Sequence, residues 1–324
     1  MIFLLSTTYC FSEFSSLVQT SDGKFLAGQN GVTDIKTPRD RRSEFIFQND
    51  NVWVRLKTAI GPTPLYPLTP PIFAPPAKAV LMDLDGTSVQ SETFWVWIIE
   101  KTLQELSGNP QLSLSDEDLP FVSGFSVSEH LQYGIDKYVP GASIVKAREL
   151  YHRITEYEMQ EILAGRGNAE AFRPAPHLKE FLTALKQNNV KIGLVTSGLY
   201  CKAMPEIIAA FRTLEMGDPM EFYDAVITAG TSYIAGKQAG TLGELSAKPH
   251  PWLYAEIARV GMGLSEEDMN HVIGIEDSSA GVLSLALAGF PVVGIKDGNV
   301  QSAGLNGLLA KNCSDLMQIL EDIL

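Results

Sequence analysis

From Ala77 onward, short apolar runs alternate with segments of helix length, and this alternation restricts the fold more than any other feature of the sequence. The runs are 79–82, 191–195, 223–227, 271–275 and 291–295, and between them 178–187, 203–214, 250–260 and 279–288 are long enough for helices. Runs that stay apolar without alternating belong to strands buried on both faces, and parallel strands need crossovers of helical length. The expectation is an α/β core built on a Rossmann-like parallel sheet. One connection is much longer than the rest. It contains Phe94–Leu106 and a stretch where Ile144, Ala147, Leu150, Ile154 and Tyr157 recur at spacings of three and four, a helical stripe. Residues 94–173 therefore read as a helical domain inserted into a core of 77–93 and 174–324.

Residues 1–76 follow another pattern. Ser21-Asp22-Gly23-Lys24 and Gln48-Asn49-Asp50-Asn51 are turn signals beside β-prone stretches, Phe45–Phe47 and Val52–Leu56. Seven prolines between Gly61 and Pro76 read as an extended linker. A small β-rich N-terminal extension is expected. Its apolar strands must be covered by the core, the inserted domain or a second subunit, so homo-oligomerisation through it is one expectation. It holds no candidate catalytic residue, and its loss should harm solubility or assembly more than chemistry.

Composition narrows the class. With 324 residues, 45% of them hydrophobic and 19% charged, the chain can bury a sizeable core of more than one domain. No apolar run approaches the ~20 residues of a membrane span. The apolar start, Met1–Leu5, is short, lacks basic residues and soon meets Glu13, unlike a signal peptide. Cys10, Cys201 and Cys313 lie far apart, which suits a reducing, cytoplasmic setting and neither a disulfide framework nor a zinc site. A net charge of −13 argues against nucleic-acid or anionic-membrane partners. A small phosphorylated substrate remains open, provided that a local cation receives it.

In an open parallel sheet, ligands bind beyond the carboxyl ends of the strands. The residues found there form a consistent polar set: Asp83-Leu84-Asp85-Gly86-Thr87, then Thr196-Ser197-Gly198, then Glu276-Asp277-Ser278. Asp83 and Asp85, two apart after a buried strand, point to one side, and Gly86 permits a sharp turn. With Glu276 and Asp277 they make four acids whose repulsion calls for a cation. Oxygen ligands without a cage of carbonyls suit Mg²⁺. Alone, the Asp-x-Asp-Gly stretch is equally an ordinary turn. An EF-hand calcium loop does not fit, because Thr87 stands where a third ligand belongs. Thr196 and the N–H groups around Ser197 can cradle phosphate oxygens, or simply cap a helix. Lys248, followed by Pro249 and Pro251, places a charge at the start of a helix. Lys237, in the glycine-containing segment 230–247, is its rival. That segment is either a border of the substrate site or a surface loop. Phe94, Trp95 and Trp97 read as helix core before substrate platform.

Taken together and in this order, DLDGT, VTSG, KPHPWLY and GIEDSSAGV resemble the four-motif signature of the haloacid dehalogenase-like hydrolase superfamily, in its phosphatase branch with a helical cap. The resemblance spans about 77–296. It implies that Asp83 is the nucleophile, forming an aspartyl-phosphate, and that Asp85 is the general acid and base. It also implies that Asp83, Asp85, Asp277 and, less directly, Glu276 hold Mg²⁺, while Thr196, Ser197 and Lys248 bind the phosphate. The activity implied is Mg²⁺-dependent hydrolysis of a small phosphorylated metabolite. The alternative within the family is a β-phosphoglucomutase-like isomerase, whose cap carries an arginine in a G-x-x-R-x-x-x-L frame. Here Gly124 to Leu131 fits the frame, with Val127 at the arginine position. A non-catalytic interaction protein on the same fold is the other alternative, but it would not require the intact set of Asp83, Asp85, Lys248 and Asp277.

Overall fold

Five apolar runs become five of the six parallel strands of an eight-stranded sheet in a computed structural model that describes residues 8–57, 63–115, 118, 127–168, 171–229, 231–235, 237–240, 247–295 and 298–324. In chain order the sheet's strands are β6 (Ala79–Asp83), β9 (Lys191–Leu199), β10 (Ala225–Ala229), β11 (Thr231–Ile234), β12 (Lys237–Gly240), β13 (Val272–Glu276), β14 (Val292–Ile295) and β15 (Lys311–Cys313). Their spatial order is β12-β11-β10-β9-β6-β13-β14-β15, parallel from β10 to β15. Every residue of β6 is buried, as its unbroken apolar run requires. The chain leaves β6 for β9 on one side, while β13 lies on the other. The carboxyl ends of β9, β6 and β13 thus stand side by side at the point where strand order reverses. Asp83 pairs with Val195 and Met82 with Ile275, so Thr196 and Glu276 flank Asp83 in register.

Local differences from the sequence reading have simple causes. β9 does not stop at 195 but runs through the polar Thr196-Ser197-Gly198 to Leu199, which pairs with Ala229 across a bulge. The described part of segment 230–247 is neither loop nor helix: β11 and β12 form a hairpin antiparallel to β10 and continue the sheet. Residues 230, 236 and 241–246 of that segment lie outside the described residues.

The chain divides into two compact units, one formed by 1–87, 176–200 and 219–324, the other by 88–175 and 201–218. Helices of the second unit are α1 (Glu92–Ser107), α2 (Val127–Tyr138), α3 (Ile144–Leu163) and most of α5 (Tyr200–Leu214). Its stem is a two-stranded pair, β7 (Val89–Gln90) with β8 (Arg173–Pro174). Phe94 is buried there with Ile98 and Leu103, as the core reading expected, while Trp95 and Trp97 are half-buried beneath the ammonium groups of Lys202 and Lys101. Helix 203–214 of the sequence reading begins at Tyr200 and joins this unit from Cys201 on. Val127 opens α2; Gly124 to Ser126 lie outside the described residues.

In the first unit, α4 (Leu178–Gln187), α6 (Pro219–Phe222), α7 (Trp252–Glu256), α8 (Ser279–Ala288), α9 (Val300–Ala303) and α10 (Met317–Ile323) accompany the sheet. The chain continues from α7 as a π turn, Ile257–Gly261. The same unit holds an antiparallel sheet ordered β1 (Ser15–Ser16), β2 (Val32–Thr37), β3 (Ser43–Gln48), β4 (Asn51–Leu56) and β5 (Leu65–Leu68). β5 forms inside the Pro-rich stretch, with Pro67 on an edge strand, where the lost N–H donor is tolerated. Phe45, Val54, Leu56 and Leu68 on one face share a buried cluster with Leu253, Tyr254, Val282 and Leu283 of α7 and α8. The other face buries Val32, Ile35 and Ile46. The chain's own core therefore covers this apolar face of the extension.

Candidate active site

β6 ends on Asp83, which is 5% exposed, and the chain then turns through Leu84, Asp85 and Gly86. Gly86 has a φ of +85°, and a Cβ there would stand 2.2 Å from Oδ2 of Asp277. A side chain at Gly86 would therefore drive the turn off Asp277. Thr87, fully buried, donates from Oγ1 to Oδ1 of Asp277 at 3.3 Å. Carboxylate oxygens of Asp83, Glu276 and Asp277 all lie within 4.8 Å of one another.

Against this acidic group stands Lys248. Its ammonium is 5% exposed and donates to Oδ1 of Asp83, to Oε1 of Glu276 at 2.7 Å and to the carbonyl of Val195 at 3.2 Å. Lys237 is instead exposed on β12. Glu276 has both oxygens occupied. Oε1 also accepts from Tyr254 Oη at 2.6 Å, and Oε2 accepts from the backbone N–H groups of Asp277 and Ser278 and from Ser278 Oγ. Burial disfavours the Lys248 charge, but Asp83 and Glu276 outweigh it and raise its pKa, so the amine stays protonated. Burial and then the Glu276 charge drive Asp83 well above the usual carboxylate range. The same two causes push Asp277 up to about 8. One lysine does not balance these carboxylates, and a hard, oxygen-seeking cation would fit the donor set.

Thr196 is buried at the end of β9. Its hydroxyl accepts from the N–H of Gly198 at 2.9 Å and donates to Asp85 Oδ2 at 3.5 Å, a contact at the limit of bonding. Ser197 is exposed, and its hydroxyl accepts from the backbone N–H of Lys248 at 3.1 Å, tying the β9 end to the lysine loop. All seven residues singled out in the sequence thus gather at three neighbouring strand ends. Sequence reading missed Tyr254 and Thr87. Tyr254 sits in a helix whose spacing reads as core, and only the polar tip of a fully buried tyrosine marks it as something more.

A family model described as haloacid dehalogenase-like hydrolase matches residues 77–289. Among solved structures, the chain is similar to a predicted phosphoglycolate phosphatase from Haemophilus somnus 129PT, with 18% identity, a TM-score of 0.56 and coverage of 76% of this chain and 97% of that one. It is similar to CbbY from Rhodobacter sphaeroides in complex with phosphate, at 15% identity and a TM-score of 0.53, covering 75% and 96% of the two chains. A subfamily IA hydrolase of the same superfamily from Geobacter sulfurreducens PCA gives 19%, 0.53, and 77% and 97%. At such identities the likeness is one of fold. The family model, the fold and the gathered motifs agree: the chain belongs to the haloacid dehalogenase-like hydrolases.

Proposed function

We propose that this enzyme hydrolyses the phosphate monoester of a small metabolite through an aspartyl-phosphate on Asp83, with Mg²⁺ as its cation. The observation that carries the reading is the buried meeting of Asp83, Asp277 and Lys248 beside Asp85 and Thr196. Lys248 opposes the effect of burial on Asp83, a bound cation would shift it further toward the ionised form, and an ionised carboxylate attacks without a base. The Asp83–phosphorus bond forms as the ester bond breaks, and Asp85 gives its proton to the departing oxygen. Asp85 then takes a proton from water, which attacks phosphorus and releases inorganic phosphate and Asp83. Thr196, Lys248 and the N–H groups around Ser197 bind the non-bridging oxygens, where charge spreads in the transition state.

Asp83, Asp277 and the Asp85 carbonyl would hold the cation, whose charge would offset the repulsion between these carboxylates and the phosphate. Glu276, with both oxygens in use, suits the holding of Lys248 better than direct ligation. The helical unit is read as the cap that selects the substrate. Bound phosphate in CbbY and the phosphatase description of the Haemophilus structure support a small phosphorylated ligand. Val127 offers no charge for a second phosphate, which favours hydrolysis over mutase chemistry. Free Cys10, Cys201 and Cys313 accord with a reducing cytoplasm.

Chelation should abolish turnover of a generic aryl phosphate, and Mg²⁺ should restore it. Full activity in chelator would overturn the metal-dependent reading. Conversion of β-glucose 1-phosphate to glucose 6-phosphate would replace phosphatase by mutase.

A further inference from the structure

The grip on Lys248 extends beyond the segment that the family model matches. Two residues after Lys248, the ring Nδ1 of His250 lies 2.9 Å from the hydroxyl of Tyr66, 184 positions earlier in the chain. Tyr66 belongs to β5, the edge strand of the N-terminal sheet, and the matched segment begins only at residue 77. Its ring meets His250 edge-on at 6.0 Å and Trp252 edge-on at 5.9 Å. From the opposite partner, α8, Ser284 Oγ donates to the His250 carbonyl at 2.6 Å. Residues 248–252 are therefore fastened at His250 by two elements, and one of them is the N-terminal extension.

The helix that follows is fastened too. Leu253 and Tyr254 of α7 share a buried cluster with Phe45, Val54, Leu56 and Leu68 of the extension. Tyr254 in turn donates to Glu276, the residue that shares Lys248 with Asp83. Both supports of the lysine, its own loop and the Glu276–Tyr254 pair, thus rest on packing that the N-terminal sheet completes.

We infer that the face of the N-terminal sheet that carries Tyr66 is part of the machinery that places Lys248 for phosphate binding, and that Tyr66 is a positioning residue acting through His250. A cation that must meet a phosphoryl oxygen works only within a narrow range of positions, and displacements of about 1 Å are costly to catalysis. The hydroxyl of Tyr66 holds the histidine ring, and the ring holds the turn that aims the lysine. This rests on the phosphatase reading above, because it concerns the phosphate contact of that same site.

The test uses the full chain with Mg²⁺, turnover of p-nitrophenyl phosphate and competitive inhibition by inorganic phosphate. Tyr66→Phe keeps the ring contacts and removes only the hydroxyl. It should weaken phosphate inhibition and lower kcat/KM by about five- to tenfold, an ordinary loss for one hydrogen bond. His250→Ala should do at least as much, and the double variant should be no worse than His250→Ala, because the two residues act in series. Ile46→Ala, a cavity on the other face of the same sheet, should lower the melting temperature and leave phosphate inhibition per folded molecule unchanged. Wild-type kinetics in Tyr66→Phe would overturn the inference. So would an equal loss of phosphate affinity in Ile46→Ala, which would mean general softening of the sheet. A wild-type enzyme with neither turnover nor phosphate binding would instead remove the phosphatase reading itself, and this inference with it.

Discussion

The two sheets of the first unit each hold a cluster of charge around buried side chains, and the clusters are built on opposite principles. In the N-terminal sheet, Glu44 is 1% exposed and accepts from Arg55 at 2.8 Å, from the N–H of Ser21 at 3.0 Å and from Lys57 at 3.2 Å. The other arm of Arg55 reaches Asp22 at 3.0 Å. With Lys24 3.6 Å from Asp22, each of the two acids has basic partners of its own. Burial alone would raise Asp22, but its bonds from Thr20 and the Lys24 N–H and the Arg55 charge prevail and hold it at about 2. In the central sheet Asp83, Asp85, Glu276 and Asp277 face Lys248, and burial with mutual repulsion raises Asp83 and Asp277. A balanced cluster stabilises a fold. An unbalanced one is a site waiting for a charge, and its perturbed acids are where function is to be sought.

The sharpest way to test that contrast is to remove one acid from each cluster. Asp83→Asn should lower kcat by at least about 10³-fold, since the proposed covalent route would be lost. It should nevertheless raise the melting temperature of the metal-free protein, because a repelled carboxylate is gone. Asp85→Asn should cost about 10²-fold with an alkyl phosphate and less with an aryl phosphate, whose leaving group needs less protonation. Near-wild-type turnover in Asp83→Asn would exclude it as the nucleophile.

Glu44→Ala should behave in the reverse sense. It strands Arg55, which is 6% exposed, and breaking a buried pair typically costs about 3 kcal/mol. The loss is read from the midpoint of denaturant unfolding. Turnover per folded molecule should stay within about twofold, because Glu44 lies on the face away from Tyr66 and α7. Unchanged stability would show that the two clusters do not differ as argued.

Much of this was legible in the sequence, and the exceptions share a cause. Helices 178–187 and 279–288 fall where their apolar spacing puts them, since buried helices between parallel strands leave strong periodic patterns. The acids and Lys248 stood out because charge directly after a buried strand is hard to explain by packing. The hairpin Thr231–Gly240 was hidden because its residues read as a loop, whereas edge pairing with β10 supplies what propensity does not. β5 was hidden by Pro67, which only an edge strand tolerates. Tyr66–His250 could not be read at all. A bond between residues so far apart has no local signature, and each side chain alone is unremarkable.

The gentlest test compares the two clusters through pH and metal. An unfolded aspartate titrates near about 3.9, whereas Asp277 in the metal-free fold titrates at about 8. Between those values the folded chain keeps a proton that the unfolded chain has released, so raising the pH across that window removes stability. The contribution is fully present below about 4 and is lost as pH rises through about 8. Asp22 runs the other way: its contribution is present above about 3.9 and is lost as pH falls through about 2. Metal-free protein should therefore melt lower at pH of about 8.5 than at about 5.5, by a few degrees. Under the proposed function Mg²⁺ would be held by the deprotonated carboxylates, so it should raise the melting temperature more at the higher pH than at the lower. Asp277→Asn should flatten the decline and weaken the Mg²⁺ response, while Asp22→Asn should leave both as they are. Differences between each variant and wild type isolate these groups from every other titration. If Mg²⁺ stabilised Asp277→Asn as strongly as wild type, the cation would not be answering the acid excess at the end of β13.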